Sequence, residues 1–183
     1  GIDDRDPSLA TLDDGTVALS YFRYATHTVA SATLIQHHIF FTTSSDGGKT
    51  FGPPVQVDPG SLDATGASID ATSGRWVDAQ SKPIIVKACS APVVQWGGQL
   101  VLPAYGGPTL NLSALATAPR SRLSLFRSAD GGKSWTEQLL APDQDKQTWL
   151  QEPALLPAPG GQALLHARTA KGNSPGGAGH MVQ

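Results

Sequence analysis

At 183 residues and a net charge of −2, the chain is long enough for one domain with a sizeable core, and it carries no basic field for nucleic acid or an anionic membrane surface. Only 15% of the residues are charged, and 20 Gly and 14 Pro favour many short strands joined by turns over long helices. The single Cys89 excludes an internal disulfide and reads as a small buried apolar residue, and no run is long and apolar enough to cross a membrane as a helix.

Taken in chain order, three segments repeat one pattern: residues 6–21, 91–105 and 152–167 each read as an x-Pro step, a short apolar strand, a Gly-containing turn and a second apolar strand. A proline at the first residue of a strand sits where the ladder tolerates a missing N–H, and Asp14-Gly15 is a hairpin turn signal. After the first of these pairs, residues 34–42 predict a third strand and residues 54–57 a fourth. After the second pair, residues 122–127 and 137–140 predict the same two strands again.

Between strands three and four lies an octapeptide that occurs twice, Ser44-Ser45-Asp46-Gly47-Gly48-Lys49-Thr50-Phe51 and Ser128-Ala129-Asp130-Gly131-Gly132-Lys133-Ser134-Trp135. Its chemistry is that of a turn, because Ser and Asp side chains fold back onto backbone N–H groups and paired glycines accept positive φ. Each unit is therefore expected to be a four-stranded antiparallel sheet, one blade of an all-β propeller.

The octapeptides begin 84 positions apart, at Ser44 and Ser128, which is longer than one blade needs. We assign blade one to about residues 6–59, an excursion to about 60–89, blade two to about 90–143 and an incomplete blade three to about 150–183. Within the excursion, residues 82–87 are a further candidate strand. Two and a half blades do not close a ring, so the sequence is expected to be part of a longer chain.

Both octapeptides resemble the Asp-box, S-x-D-x-G-x-[ST]-[WF], the recurring structural turn of sialidases and other Asp-box (BNR-repeat) propellers. The resemblance implies a sialidase-type propeller of six blades, with the boxes on its outside and the substrate site at the other end of the sheets. It also implies an extracellular or periplasmic location and a glycan or glycoconjugate substrate, with no cofactor.

The x-Pro steps then mark the candidate site. Arg5-Asp6-Pro7 resembles the R-x-P motif whose arginine is the first of three that clamp a substrate carboxylate, a role suited to a planar, bidentate guanidinium. Glu152-Pro153 resembles the E-P step that supplies the glutamate paired with a tyrosine nucleophile. Arg168 matches the second clamp arginine. The plainer readings are an exposed arginine for Arg5 and a hairpin salt bridge for Glu152 and Arg168.

The departures are equally specific. Sialidases carry an acid/base aspartate in the loop after the second strand, but residues 23–33 contain neither Asp nor Glu. Asp6 is the better carboxylate candidate, with contact to substrate hydroxyls, proton transfer or pairing with Arg5 as its possible roles, and Asp63, Asp70 and Asp78 of the excursion are further candidates to reach over the site. Tyr105, like Tyr21 and Tyr24, lies near a second-strand end and either lines the pocket or packs. Trp149 is suited either to stacking on a sugar or to the core. His37 and His38 alternate with apolar neighbours and have no partners at metal-ligand spacing.

Two functions follow. One is a sialidase-like exo-glycosidase acting on terminal, anionic sugars, with its nucleophile and third arginine beyond Gln183. The other is a non-catalytic Asp-box propeller that binds glycans or a protein partner.

Overall fold

A computed structural model describes residues 2–29, 32–108, 122–140, 148–171 and 179–182, and every regular element of more than three residues among them is a β-strand. The first unit is formed by β1 (Ile2–Thr11), β2 (Val17–Val29), β3 (Ala32–Ser44) and β4 (Val55–Gln56), each antiparallel to the next. In the β1–β2 turn, the Thr16 N–H donates to the Asp14 carboxylate at 2.9 Å and Gly15 takes a φ of +82°. Along β2, Ala18, Ser20 and Phe22 are buried while Leu19, Tyr21 and Arg23 are half-buried, the two-residue period of a sheet with one face on the core.

A short hairpin of β5 (Ser68–Ile69) and β6 (Trp76–Val77) follows, and then β7 (Ile85–Ala88). The second unit comprises β8 (Val94–Trp96), β9 (Gln99–Pro108), β10 (Arg122–Ser128) and β11 (Thr136–Leu139). The third comprises β12 (Thr148–Pro157), β13 (Ala163–Lys171) and β14 (Gly179–Val182). The protein is thus all-β, built from antiparallel propeller-type units.

One strand departs from the expected separation of units. β7 does not stay in the excursion: it pairs with β9 from Ile85↔Pro108 to Ala88↔Tyr105 and meets β3 in a single parallel pair, His37↔Val86. The cause is the length of β9. β8 covers its edge only from Gln99 to Val101, so the backbone groups of its other half would lack partners without β7.

The first and second units join through β7 into one nine-stranded sheet, and the main core lies between their inner faces. Phe22, Ile39 and Phe41 of the first unit interlock with Cys89, Leu102 and Phe126 of the second. Trp135, which closes the second octapeptide, packs edge-on against Phe41 with ring centroids 5.1 Å apart. A second layer of Val101, Leu125 and Leu155 joins units two and three, helped by the Trp96 indole N–H donating to the Gly161 carbonyl at 3.2 Å. Truncating a buried phenylalanine such as Phe41 costs about 3–5 kcal/mol, so either layer is a sizeable part of total stability.

The excursion is stitched down by polar groups instead. Asp58, fully buried, accepts from the Ile39 N–H at 2.6 Å, from the Gly60 N–H at 3.0 Å and bonds His38 Nδ1 at 2.8 Å. The buried Gln36 amide reaches the Ser61 carbonyl, and His27 bonds Gln36 at 2.8 Å. Asp58 and His38 Nδ1 are tolerated this deep because they satisfy each other, while His38 Nε2 is left without a partner among the described residues.

Candidate active site

The two octapeptides fold as the same turn, at one end of the sheets. The Asp46 carboxylate accepts from the N–H groups of Lys49 and Thr50, at 3.0 and 2.9 Å, and from the hydroxyls of Thr50 and Ser44, at 2.6 and 2.7 Å. Asp130 repeats this with Ser134 and Ser128. Hydrogen bonds to the charged form, led by Thr50 and Ser134, hold both carboxyls far below their ordinary range. These aspartates are spent on backbone and hydroxyl groups, and register places Ser44 opposite Val17, beside the β1–β2 turn.

The other candidates gather where the first strand of each unit breaks its ladder. In β1 the pairing runs to Arg5↔Phe22, skips Asp6-Pro7, and resumes at Ser8↔Ser20. In β12 it runs to Gln151↔Arg168, skips Glu152-Pro153, and resumes at Ala154↔His166. In the second unit the gap falls between β7 and β8, around Ala91-Pro92, after Ala88↔Tyr105. Proline has no N–H for the ladder, so a bulge forms there and re-aims the residue before it.

Asp6 and Glu152 are correspondingly left-handed, with φ of +49° and +50°, and among the described residues only Ser81 is another non-glycine with positive φ. A carboxylic side chain held in that conformation is strained, and such strain concentrates at functional sites. The last partners before each gap are equivalent positions too: Phe22, Tyr105 and Arg168 stand in the same place in successive units.

Arg168 donates from Nη1 to Glu152 Oε1 at 2.8 Å, across the bulge, with both side chains more than 40% exposed. Tyr105 lies in β9, packed half-buried against the main core. Burial raises its phenol above the ordinary value, and the carboxylates of Asp6 and then Glu152 raise it further. Acidic groups from the first and third units therefore act on one hydroxyl of the second.

Arg5 is held somewhat differently from expectation. Its Nε donates to Asp3 Oδ2 at 2.7 Å, two residues along the same face of β1, and its guanidinium lies 4.3 Å over the Tyr24 ring. Asp3, Tyr24 and His37 form a row across three strands, with the Tyr24 and His37 rings 4.9 Å apart. Burial first, then Arg5 and His38, pushes the His37 imidazole down to about 4, so it is neutral at ordinary pH beneath the cation. The Asp3-x-Arg5 spacing was visible in the sequence. The Tyr24–His37 contact depended on strand register.

The remaining sequence candidates serve other ends. Asp63, Asp70 and Asp78 accept from backbone N–H groups of Thr65, Ser73 and Gln80, which makes them turn formers in the excursion. Tyr21 stacks on Phe40 at 5.6 Å. Burial pushes the Cys89 thiol up to about 12, an inert core group. The Trp149 side chain lies outside the described residues. Among those described, no three His, Cys, Asp or Glu side chains are placed to share a metal ion.

No protein-family model matches the chain, and no curated protein matches it. Among solved structures the chain is similar to that described as the GH43 BlXynB protein from Bacillus licheniformis, at a TM-score of 0.32 and 11% identity. That likeness covers 92% of this chain and 37% of the other, so the chain spans well under half of that protein's length. At this level it bears on neither the site nor the substrate.

Proposed function

We propose that the chain carries part of the active site of a sialidase-like exo-glycosidase that removes terminal, anionic sugars from glycans or glycoconjugates. The observation that carries the reading is the Glu152–Arg168 pair at a strained bulge, a backbone feature repeated at Asp6 of the first unit. Arg5 and Arg168 supply guanidinium groups for a sugar carboxylate, and Tyr105 supplies a hydroxyl to the pocket wall. Glu152 takes the proton of a tyrosine nucleophile as its oxygen attacks the anomeric carbon, the tyrosine variant of retaining hydrolysis. An extracellular or periplasmic location accompanies this reading.

One observation favours a second reading, a propeller that binds glycans or a protein without turnover. Both arginines are already paired with carboxylates of the chain itself, Arg5 with Asp3 and Arg168 with Glu152. A panel of aryl glycosides that includes a sialoside separates the two when assayed with the full-length protein. Release of the aryl alcohol supports the enzyme. Binding of the free sugar with no release supports the second reading, and hydrolysis of neutral glycosides alone removes the anionic substrate.

A further inference from the structure

We propose that the outer face of the first unit receives the outer face of the third unit of a second copy of this chain, so that two copies join head to tail in one ring. The inference is independent of the glycosidase reading and starts from register. The ladder resumes after the bulge at Ser8↔Ser20 in the first unit and at Ala154↔His166 in the third. Counted from there, Leu9↔Leu19 corresponds to Leu155↔Leu165, and Ala10↔Ala18 to Leu156↔Leu164. Consecutive residues of a strand point to opposite faces, so each unit carries one such pair on either side.

The second unit shows what these pairs do. On one side its Val93 and Leu102 share the main core with Ala10 and Ala18 of the first unit. On the other its Val94 and Val101, themselves a register pair, pack with Leu155 and Leu165 of the third. Each contact therefore sets one kind of face against the other kind, and one face of each kind is left bare. Leu9 is 61% exposed, and half-buried Leu19 lines a cavity of about 330 Å³ together with Tyr21, Thr42, Phe51 and Pro54. Leu156 and Leu164 are 65% and 55% exposed.

Apolar side chains grouped on a sheet face mark an interaction surface, and continuity with the contacts inside the chain selects its occupant. The two bare faces are the missing halves of a contact the chain already makes twice, so a second copy carries the surface that fits each of them. A contact between unlike faces is heterologous and forms a closed ring wherever its rotation closes. The three units of one copy are too few for a closed propeller, whereas the six of two copies lie within its usual range of about four to eight.

The test is the mass of the protein in solution, by sedimentation equilibrium over a series of concentrations, with Leu9→Glu and Leu164→Lys as variants. Both leucines are exposed, so circular dichroism and the unfolding midpoint should stay at their wild-type values. The expected result is twice the mass of one chain for the wild type and a dissociation constant raised about tenfold or more by either variant. Leu139→Lys, equally exposed but on the edge strand β11 of the second unit, should change nothing. Mixing the two variants should restore the dimer, because one contact of the mixed pair is unaltered and the other sets the introduced carboxylate against the introduced ammonium. A monomeric wild-type protein overturns the proposal, and it is the result expected where a further unit of the same chain or a different protein fills the groove. A dimer that neither variant weakens, or that mixing does not restore, overturns it as well.

Discussion

Arg168 and Glu152 face each other across the break in one hairpin: the strand carrying Glu152 leaves its ladder after Gln151, and Arg168 is the residue opposite Gln151. The 2.8 Å bond between them is therefore a product of the bulge, because an unbroken strand would send Glu152 to the sheet face opposite that of Gln151 and Arg168. The same device at Asp6-Pro7 leaves its carboxylate without such a partner, since the residue opposite Arg5 is Phe22. One backbone feature, repeated, thus presents a paired and an unpaired carboxylate.

The close packing of the second octapeptide on the first unit sets a stability test. A Cβ added at Gly132 would lie 2.1 Å from Phe41 Cε1, and its φ is +91°, whereas one added at Gly131, at φ +73°, would meet nothing within 4 Å. Gly132→Ala combines overpacking with backbone strain and is expected to destabilise by about 2–5 kcal/mol. Gly131→Ala carries only the strain, about 1 kcal/mol. Urea unfolding of the two variants measures the difference, and equal midpoints would contradict the packing described.

Lys87 offers a second. Its ammonium, nearly buried, is bonded to the Ser124 hydroxyl at 2.8 Å and to Glu137, and lies 5.7 Å from the Phe126 ring centroid. Lys87→Met leaves Glu137 and Ser124 without their cation and is expected to lose about 3–5 kcal/mol. Lys87→Met with Glu137→Leu should recover most of it. Thermal unfolding of the single and double variants checks the sign, and a double variant no better than the single one counts against the pair.

Much of this fold was legible in the sequence, for physical reasons. Alternation in residues 34–42 and 122–127 comes from sheets with a buried face, and the octapeptides spell out their own hydrogen bonds, Asp to the hydroxyl four residues on. The x-Pro steps pointed to Asp6 and Glu152 through their resemblance to the R-x-P and E-P motifs, and the missing proline N–H accounts for the bulge at each. What stayed hidden depended on partners distant in sequence. β7 is short and is defined by the unmatched half of β9, and the Asp3–Tyr24–His37 row exists only once register is set.

Acid stability follows from the two turns. The folded-state carboxyls of Asp46 and Asp130 lie below the ordinary value of 3.8, so the folded protein binds fewer protons there than the unfolded chain. Their contribution is fully present above that value and is lost as pH falls below it. Asp46→Asn and Asp130→Asn should lower the midpoint of thermal unfolding at pH 7 and shrink the further drop between about pH 4 and pH 2, followed by circular dichroism. An unchanged drop in the double variant would mean that other groups govern acid unfolding.

The central claim is that Glu152 and Arg168 act on a glycoside, and the steady-state hydrolysis of an aryl sialoside by the full-length protein and its variants tests it most directly. Wild-type protein should turn over the substrate. Glu152→Gln should reduce kcat by about a hundredfold or more through loss of the base, and Arg168→Ala should raise KM through loss of a carboxylate contact. Turnover by Glu152→Gln and Arg168→Ala at the wild-type rate and KM, with the fold intact, would contradict the account.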